Sequence, residues 1–303
     1  MFARASIAIR CLRYKSASET ANRLAISLTF LPSKNFISNI DESPVDDIPF
    51  RICEDMPSFK NGDLSEFVKG TLAIEKLKSG DYQALAWQAS ETSTGALLPT
   101  KKLAELCQKY DALSIVDAIT ALAVVDIPFD EWGLDVMVGG SQKAFMLPAG
   151  MAFICLSAKA DHADCDIKKY YFDLKAEKKA NLSGSTRFST PTTFVIGLDV
   201  VLDDMLINTG LKAHFKNIVD RAEYFRKNIS LELFPKTPSP ALSCLRVPEG
   251  RSASEIKKKV DQDGIMIVAG QDQIKDKVLR IGHMGSMTFE DLLKTAKSIE
   301  KFL

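Results

Sequence analysis

The sequence predicts an α/β protein, in which a mixed, mostly parallel sheet is sandwiched by helices and a smaller α+β domain follows at the C-terminal end. Two observations favour this fold class. Between residues 82 and 156, apolar segments of strand length alternate with a helical segment and short links, which is typical of βαβ units. From residue 241, strands and helices alternate over about the length of a small domain.

The larger domain is predicted from four apolar segments and the helices around them. A helix is expected over 100–110, because Leu103, Cys107 and Tyr110 recur at the spacing of one helical face. An earlier helix is expected over 64–78, with Gly80 just past its end. The buried strands are expected at 82–88, 112–117, 134–138 and 151–156.

The remaining chain divides into a smaller C-terminal domain and a segment of unknown role at the N-terminal end. We predict an atypical segment over 1–61, a larger domain over 62–210 and a small domain over 211–303. The stretch 160–195 reads as basic and irregular. Helices are expected at 193–206, 211–229, 254–262 and 289–302, and strands at 241–247, 265–269 and 278–282.

Composition indicates an intracellular protein without a nucleic-acid or membrane partner. The 303 residues include 39 basic and 39 acidic side chains, and no apolar run approaches the roughly 20 residues that a membrane helix needs. The six cysteines form no Cys-x-x-Cys pair and read as reduced thiols; three scattered histidines predict no metal site. We expect a cytoplasmic protein. The alternative is mitochondrial, because the basic, serine-containing stretch before Glu19 suits a transit peptide as well as a plain basic helix.

Polar residues follow three of the predicted strands at the point where each strand ends. Thr92 and Ser93 follow the first, Asp117 closes the second, and Lys143 follows the third. Ligands of parallel sheets bind beyond the carboxyl ends of the strands. We therefore expect these side chains to converge on one site.

Asp117 and Lys143 are the strongest chemical candidates at this edge. A carboxylate at the end of so apolar a strand is costly to bury unless it meets a cation or strong donors; the alternative is that Asp117 caps the following turn. Lys143 follows Gly139 and Gly140, which allow the backbone to approach a ligand closely. In an enclosed site such a lysine can act as a nucleophile, although most loop lysines are simply solvated.

Two further features suit the binding of an anion. The hydroxyl-rich stretch 91–95 fits a phenolate or phosphate oxygen, and it also fits ordinary turn chemistry. Arg280 lies inside a predicted strand, where it either pairs with an acidic side chain or binds a substrate carboxylate in a bidentate manner. His283 has no identifiable acid or base partner and is interpreted as structural.

Five short motifs occur in order along the chain. They are Glu-Thr-Ser-Thr-Gly at 91–95, Ile-Val-Asp-Ala at 115–118, Gly-Ser-Gln-Lys-Ala at 140–144, Leu-Pro-Ala-Gly at 147–150 and Leu-Arg-Ile-Gly-His-Met-Gly at 279–285. Taken together, these motifs resemble the class V aminotransferases, which are fold-type I pyridoxal-phosphate enzymes. The similarity extends over about residues 64–303 and looks closest to the serine–glyoxylate and alanine–glyoxylate aminotransferases.

The resemblance implies pyridoxal 5′-phosphate as the cofactor and gives each candidate residue a role. Lys143 is expected to hold the cofactor as a Schiff base and to move the substrate proton. Asp117 is expected to keep the pyridine nitrogen protonated, so that the ring accepts electrons. Thr92 is expected to bond the ring hydroxyl oxygen, Gln142 to meet the phosphate end, and Arg280 to bind the substrate α-carboxylate.

The resemblance also implies a homodimer with its site at the interface. In this family a loop of the second subunit touches the cofactor phosphate. The segment 185–191 is similar to that loop and points to Thr186 and Ser189.

One part of the family pattern is not found near the start of the large domain. Family members carry there a loop rich in Gly, Ser and Thr that cradles the phosphate, whereas the first glycine here is Gly62. Either 1–61 rebuilds this part, or the site is incomplete, or the N-terminus is not the native one for the fold. The predicted function is an aminotransferase moving an amino group from serine or alanine to glyoxylate or pyruvate; the alternative is a catalytically degenerate binding or assembly subunit of the same fold.

Overall fold

The computed structural model describes residues 52–53, 77–80, 82–163, 169–271 and 274–303. Predictions for 1–61, including the phosphate loop and the transit peptide, therefore lie outside the described residues apart from a two-residue strand. The same holds for all but the last residues of the helix predicted over 64–78.

A five-stranded mixed sheet forms the larger layer, and the strands on it are mostly parallel. The described strands are β1 (Ile52–Cys53), β2 (Ala84–Gln88), β3 (Ser90–Glu91), β4 (Ala96–Leu97), β5 (Leu113–Asp117), β6 (Val136–Gly140), β7 (Ala152–Leu156), β8 (Leu242–Arg246), β9 (Val268–Ala269) and β10 (Val278–Gly282). The order of the five-stranded sheet is β1-β2-β5-β6-β7, in which only the β6–β7 pair is antiparallel. A separate antiparallel sheet has the order β8-β10-β9, and β3 and β4 form a hairpin.

The helices follow the apolar periodicity of the sequence in most of the chain. None of the described helices is long and apolar enough to cross a bilayer. They are α1 (Thr100–Lys109), α2 (Ala158–His162), α3 (Leu174–Leu182), α4 (Thr192–Asp203), α5 (Leu211–Lys227), α6 (Ala253–Gln262) and α7 (Phe289–Glu300), and a π-helix, Asp204–Asn208, extends α4.

The core of the larger layer lies between the sheet and α1. Leu103 and Cys107 on one face of α1 are buried against strand residues such as Leu85 and Val116. Trp87 adds a hydrogen bond to the buried surface, since its indole nitrogen donates to the Thr100 hydroxyl at 3.3 Å. Nearly continuous burial along β2 is typical of a strand covered on both faces, as the sequence predicts.

A second core lies under the smaller sheet. Leu245 on β8 and Leu279 on β10 are fully buried, together with Ile256 of α6 and Leu292 of α7. The chain thus builds an α/β layer followed by an α+β unit, which confirms the predicted fold class. The domain boundaries at 62 and 211 stay a prediction.

Two sequence predictions of local structure are wrong. The described part of 160–195 is not irregular throughout, because it contains the end of α2 and all of α3. Side-chain caps rather than apolar periodicity start these helices: Ser157 accepts from the Ala160 amide and Asp173 from the Ala176 amide. The strand predicted over 265–269 is reduced to β9, since only its last two residues pair with β10.

Candidate active site

The carboxyl ends of β2, β5 and β6 meet at one edge of the larger sheet. The three strands are parallel neighbours, with Gln88 opposite Asp117 and Asp117 opposite Val138. Asp117 ends β5 and Lys143 follows β6, while Thr92 follows the short strand β3 and is hydrogen-bonded to Thr120 just after β5, so all three lie near this edge. The charges of Asp117 and Lys143 also act on each other there.

Asp117 combines a turn contact with an exposed side chain. Its Oδ1 accepts a hydrogen bond from the Ile119 amide at 2.8 Å, which is the capping contact that the sequence left as an alternative. The side chain remains exposed, yet the surrounding protein removes enough water to raise the pKa of the carboxyl. The Ile119 bond lowers this pKa, the Glu91 charge raises it and the Lys143 charge lowers it. Such a carboxylate can accept a further hydrogen bond from a cationic donor.

Lys143 lies half-buried in a turn that the backbone holds closed. The Met146 amide donates to the Lys143 carbonyl at 3.0 Å, and the buried Ser141 hydroxyl donates to the Pro148 carbonyl at 2.7 Å. Burial lowers the pKa of the Lys143 ammonium, the Arg280 charge lowers it further, and the Asp117 charge opposes them. A lowered pKa makes the neutral, nucleophilic amine more accessible.

Gly139 and Gly140, which were expected to let the backbone approach a ligand, are instead close to side chains of the protein itself. A Cβ at Gly139 would lie 2.4 Å from Cδ2 of Leu122, and a Cβ at Gly140 would lie 2.6 Å from Oε1 of Gln142. The space is therefore taken by the protein's own side chains rather than kept for a ligand. Gln142 itself is exposed and folds back over Gly140.

Thr92 lies in the hairpin turn between β3 and β4, and it contacts residues beside the larger sheet through its hydroxyl and in the smaller sheet through its carbonyl. Its hydroxyl shares a 2.7 Å hydrogen bond with the Thr120 hydroxyl, and its carbonyl accepts from Nη1 of Arg280 at 3.2 Å. Sequence reasoning missed Thr120. The signal available was its position three residues after the strand-ending Asp117.

Backbone carbonyl oxygens, rather than an acidic side chain of the described residues, hold Arg280, so its binding of a substrate carboxylate stays a prediction. Arg280 is 8% exposed, and carbonyl oxygens hold it: Nε donates to Ala269 at 3.1 Å and Nη1 to Thr92. No salt bridge joins it to a carboxylate within the described residues. Burial lowers the pKa of the guanidinium, while the neighbouring Cys244 and Glu91 raise it. Five N–H groups are available on a guanidinium, so donors remain for an anion.

The loop after α3 carries the two residues expected to reach a second subunit. The Thr186 hydroxyl donates to the Phe188 carbonyl at 2.7 Å and shares a 2.7 Å bond with the Thr190 hydroxyl. Ser189 is exposed. The Thr186 bonds thus stay within its own loop, and no hydrogen bond takes its hydroxyl to Lys143 in the described chain.

Gly95 closes the turn that carries Thr92, and we expect Gly95→Ala to destabilise the protein. Its φ is +71°, and a Cβ there would lie 2.9 Å from Cβ of the buried Cys244. Gly250 has a similar φ of +81° with nothing within 4 Å of its Cβ position, so Gly250→Ala is a matched control. Denaturant unfolding should give a loss about 1 kcal/mol larger for Gly95→Ala. Equal losses would remove the close approach to Cys244 as a constraint.

The fold with this edge is that of the pyridoxal-phosphate-dependent aminotransferases. A crystal structure of aspartate aminotransferase of subgroup IV from Thermus thermophilus matches with a TM-score of 0.70 and 29% identity, over 76% of this chain and 68% of that one. The family model for aminotransferase class V matches residues 65–294, and the chain belongs to this family. Family membership implies pyridoxal phosphate as the cofactor.

Curated relatives carry different names. A small subunit of soluble hydrogenase from Synechococcus sp. (strain PCC 6716) is 35% identical over 71% of this chain, which spans 58% of that relative. An alanine–glyoxylate aminotransferase from Oryctolagus cuniculus is 31% identical over 70% of this chain, which again spans 58% of the relative. The chain therefore covers somewhat more than half the length of these proteins.

Proposed function

We propose that the chain is a pyridoxal-phosphate-dependent aminotransferase that moves an amino group from a small amino acid, serine or alanine, to a 2-oxo acid, glyoxylate or pyruvate. The observation that carries this proposal is the position of Asp117 and Lys143 at the carboxyl edge of the larger sheet, where each charge acts on the other. The charge of Arg280, from the smaller sheet, also acts on Lys143. The alanine–glyoxylate aminotransferase among the relatives supports the choice of substrates.

The residues at this edge fit the cofactor in their chemistry. A half-buried lysine with a lowered pKa suits covalent attachment of an aldehyde, and a desolvated carboxylate at a strand end suits a ring N–H cation. When bound, pyridoxal phosphate supplies the carbonyl that takes up the amino group and a ring that accepts electrons.

Each side chain then has a defined task. Lys143 Nζ would move the proton between the substrate Cα and C4′ of the cofactor, while an Asp117 oxygen would accept the ring N–H. The Thr92 hydroxyl bonds the ring oxygen and Gln142 approaches the phosphate. The remaining N–H groups of Arg280 bind the α-carboxylate of amino acid and oxo acid in turn.

The proposed enzyme is a homodimer. Thr186 and Ser189 of a second copy would complete the phosphate site. A phosphate needs several charge-assisted hydrogen bonds, each worth about 1.5–3 kcal/mol, and the candidates above supply few of them within one copy. The exposure of Ser189 and of the neighbouring stretch 182–185 leaves this loop accessible for such a contact.

The second candidate is a catalytically degenerate binding or assembly subunit. What favours it is the name of the Synechococcus relative, a hydrogenase subunit. Absorbance separates the two functions. Protein mixed with pyridoxal phosphate should gain a visible band that borohydride removes, and L-alanine or L-serine should bleach it while the matching 2-oxo acid forms. A protein that stays colourless would favour the hypothesis of a binding or assembly subunit.

Arg280→Ala should raise the KM for L-alanine by about tenfold or more and leave the visible band intact. The reason is the loss of at least one charge-assisted bond to the carboxylate, worth about 1.5 kcal/mol or more. Arg246→Ala is the matched control, because Arg246 ends the neighbouring strand β8, is exposed and bonds the Phe234 carbonyl instead. An unchanged KM in Arg280→Ala would remove this arginine from the substrate site.

A further inference from the structure

Glu91, the last residue of β3, closes the hairpin turn between β3 and β4 with both its side chain and its backbone. One carboxylate oxygen, Oε1, accepts hydrogen bonds from the Ser93 amide and the Ser93 hydroxyl, each at 2.7 Å. The Glu91 carbonyl accepts from the Gly95 amide at 2.8 Å. Three hydrogen bonds therefore restrict the conformation of a five-residue turn, and two of them converge on one oxygen.

Thr92 lies inside this turn, so its orientation depends on these bonds. Its carbonyl is the acceptor for Nη1 of Arg280, a contact between residues 188 positions apart, and its hydroxyl meets Thr120. Rotation of the Thr92 peptide would withdraw the carbonyl from Arg280. The guanidinium would then keep only the Ala269 carbonyl as a hydrogen-bond acceptor within the described chain.

The Glu91 charge also acts on the site. It raises the pKa of Asp117, after the larger effect of burial, and it raises the pKa of Arg280 against the effect of burial. Glu91 is partly buried, so this field is less screened than that of a surface carboxylate. The Glu91 charge thus acts on both groups, although the side chain is assigned no contact with the substrate.

We propose that Glu91 is a positioning residue, which folds the 91–95 turn so that the Thr92 carbonyl orients Arg280 for a carboxylate substrate. This inference rests on the proposed function for the identity of that substrate. Its structural basis is the hydrogen-bond path from Glu91 through Ser93 and Thr92 to Arg280.

Two substitutions separate hydrogen bonding from charge. Glu91→Gln keeps an Oε1 acceptor for Ser93 and removes the charge, whereas Glu91→Ala removes both. Glu105→Ala, at an exposed position of α1, serves as the control for loss of a carboxylate. We expect Glu91→Ala to raise the KM for L-alanine at least fivefold with a smaller change in kcat. Glu91→Gln should remain within about twofold of the parent protein or bind the carboxylate more tightly.

A chemical readout on the cofactor-free protein tests the same path without activity. Butanedione modifies accessible guanidinium groups, and mass spectrometry can follow Arg280 with Arg246 of the same chain as the internal reference. Arg280 should react several times faster in Glu91→Ala and at the parent rate in Glu91→Gln. Unchanged Arg280 reactivity in Glu91→Ala, or equal acceleration in both variants, would overturn the inference. A protein that binds no pyridoxal phosphate would refute the proposed function alone, because the labelling result still decides whether Glu91 positions Arg280.

Discussion

Lys143→Ala is expected to abolish covalent cofactor attachment and to lower transaminase turnover by roughly 10²–10⁴-fold. The amine of Lys143 is the group that attaches the cofactor and moves the Cα proton in the proposed reaction. Its half-buried position and lowered pKa make it the suitable amine at this sheet edge. Alanine removes both tasks without adding bulk to the turn, whose hydrogen bonds from the Ser141 hydroxyl and the Met146 amide do not involve the lysine side chain.

Borohydride reduction in the presence of pyridoxal phosphate gives the direct measurement. In the parent protein the label should map to the peptide that contains Lys143, and in Lys143→Ala it should disappear. Lys102→Ala, at an exposed position of α1, should label as the parent does. A label of parental intensity in Lys143→Ala would assign the attachment to another lysine.

Acidification from pH 7 to pH 4.5 is expected to reduce the free energy of unfolding by between roughly 2 and 3 kcal/mol through His283 alone. Burial, and after it the charges of Arg226 and Arg221, lower the pKa of this imidazole from 6.5 to about 3. The ring is fully buried; its Nε2 lies 2.8 Å from the Ser243 hydroxyl, and its Nδ1 has no hydrogen-bond partner within the described residues.

The sign follows from where the proton binds. Between pH 6.5 and 3 the unfolded chain protonates His283 while the folded protein does not, so the folded state loses relative stability as the pH falls. Urea unfolding at pH 7, 6, 5 and 4.5 measures the effect. His283→Gln removes the titrating group, and His214→Gln is the control because His214 is only partly buried. Equal pH slopes in the parent and His283→Gln would contradict the assignment.

The sequence predicted candidate site residues where they lie at the ends of strands. Asp117 and Lys143 could be found because each follows an apolar strand, and parallel neighbours bring such ends to one edge. The role proposed for Glu91 could not be read in the same way. It depends on a contact between Thr92 and Arg280 that only the docking of the two sheets creates.

Other departures have similar physical causes. The helix α3 was missed because its start is defined by the Asp173 side chain rather than by an apolar stripe. Gly139 was expected to leave space for a ligand, but Leu122 occupies that space. Leu122 lies in the connection between β5 and β6, so its contact with Gly139 could not be predicted from the local sequence. The local sequence pattern thus predicts helices and strands and where they end. The packing that requires a glycine at a given position depends on the tertiary fold.

The Arg280–Thr92 contact has a consequence for the order in which the protein acquires its properties. The two residues are 188 positions apart, so the entropy of closing a long segment of chain opposes their meeting. The sheet edge with Asp117 and Lys143 uses contacts between strands much nearer in sequence. During refolding, the capacity to attach an aldehyde should therefore appear before the capacity to select a carboxylate, and a chain cut between α4 and α5 would separate chemistry from recognition.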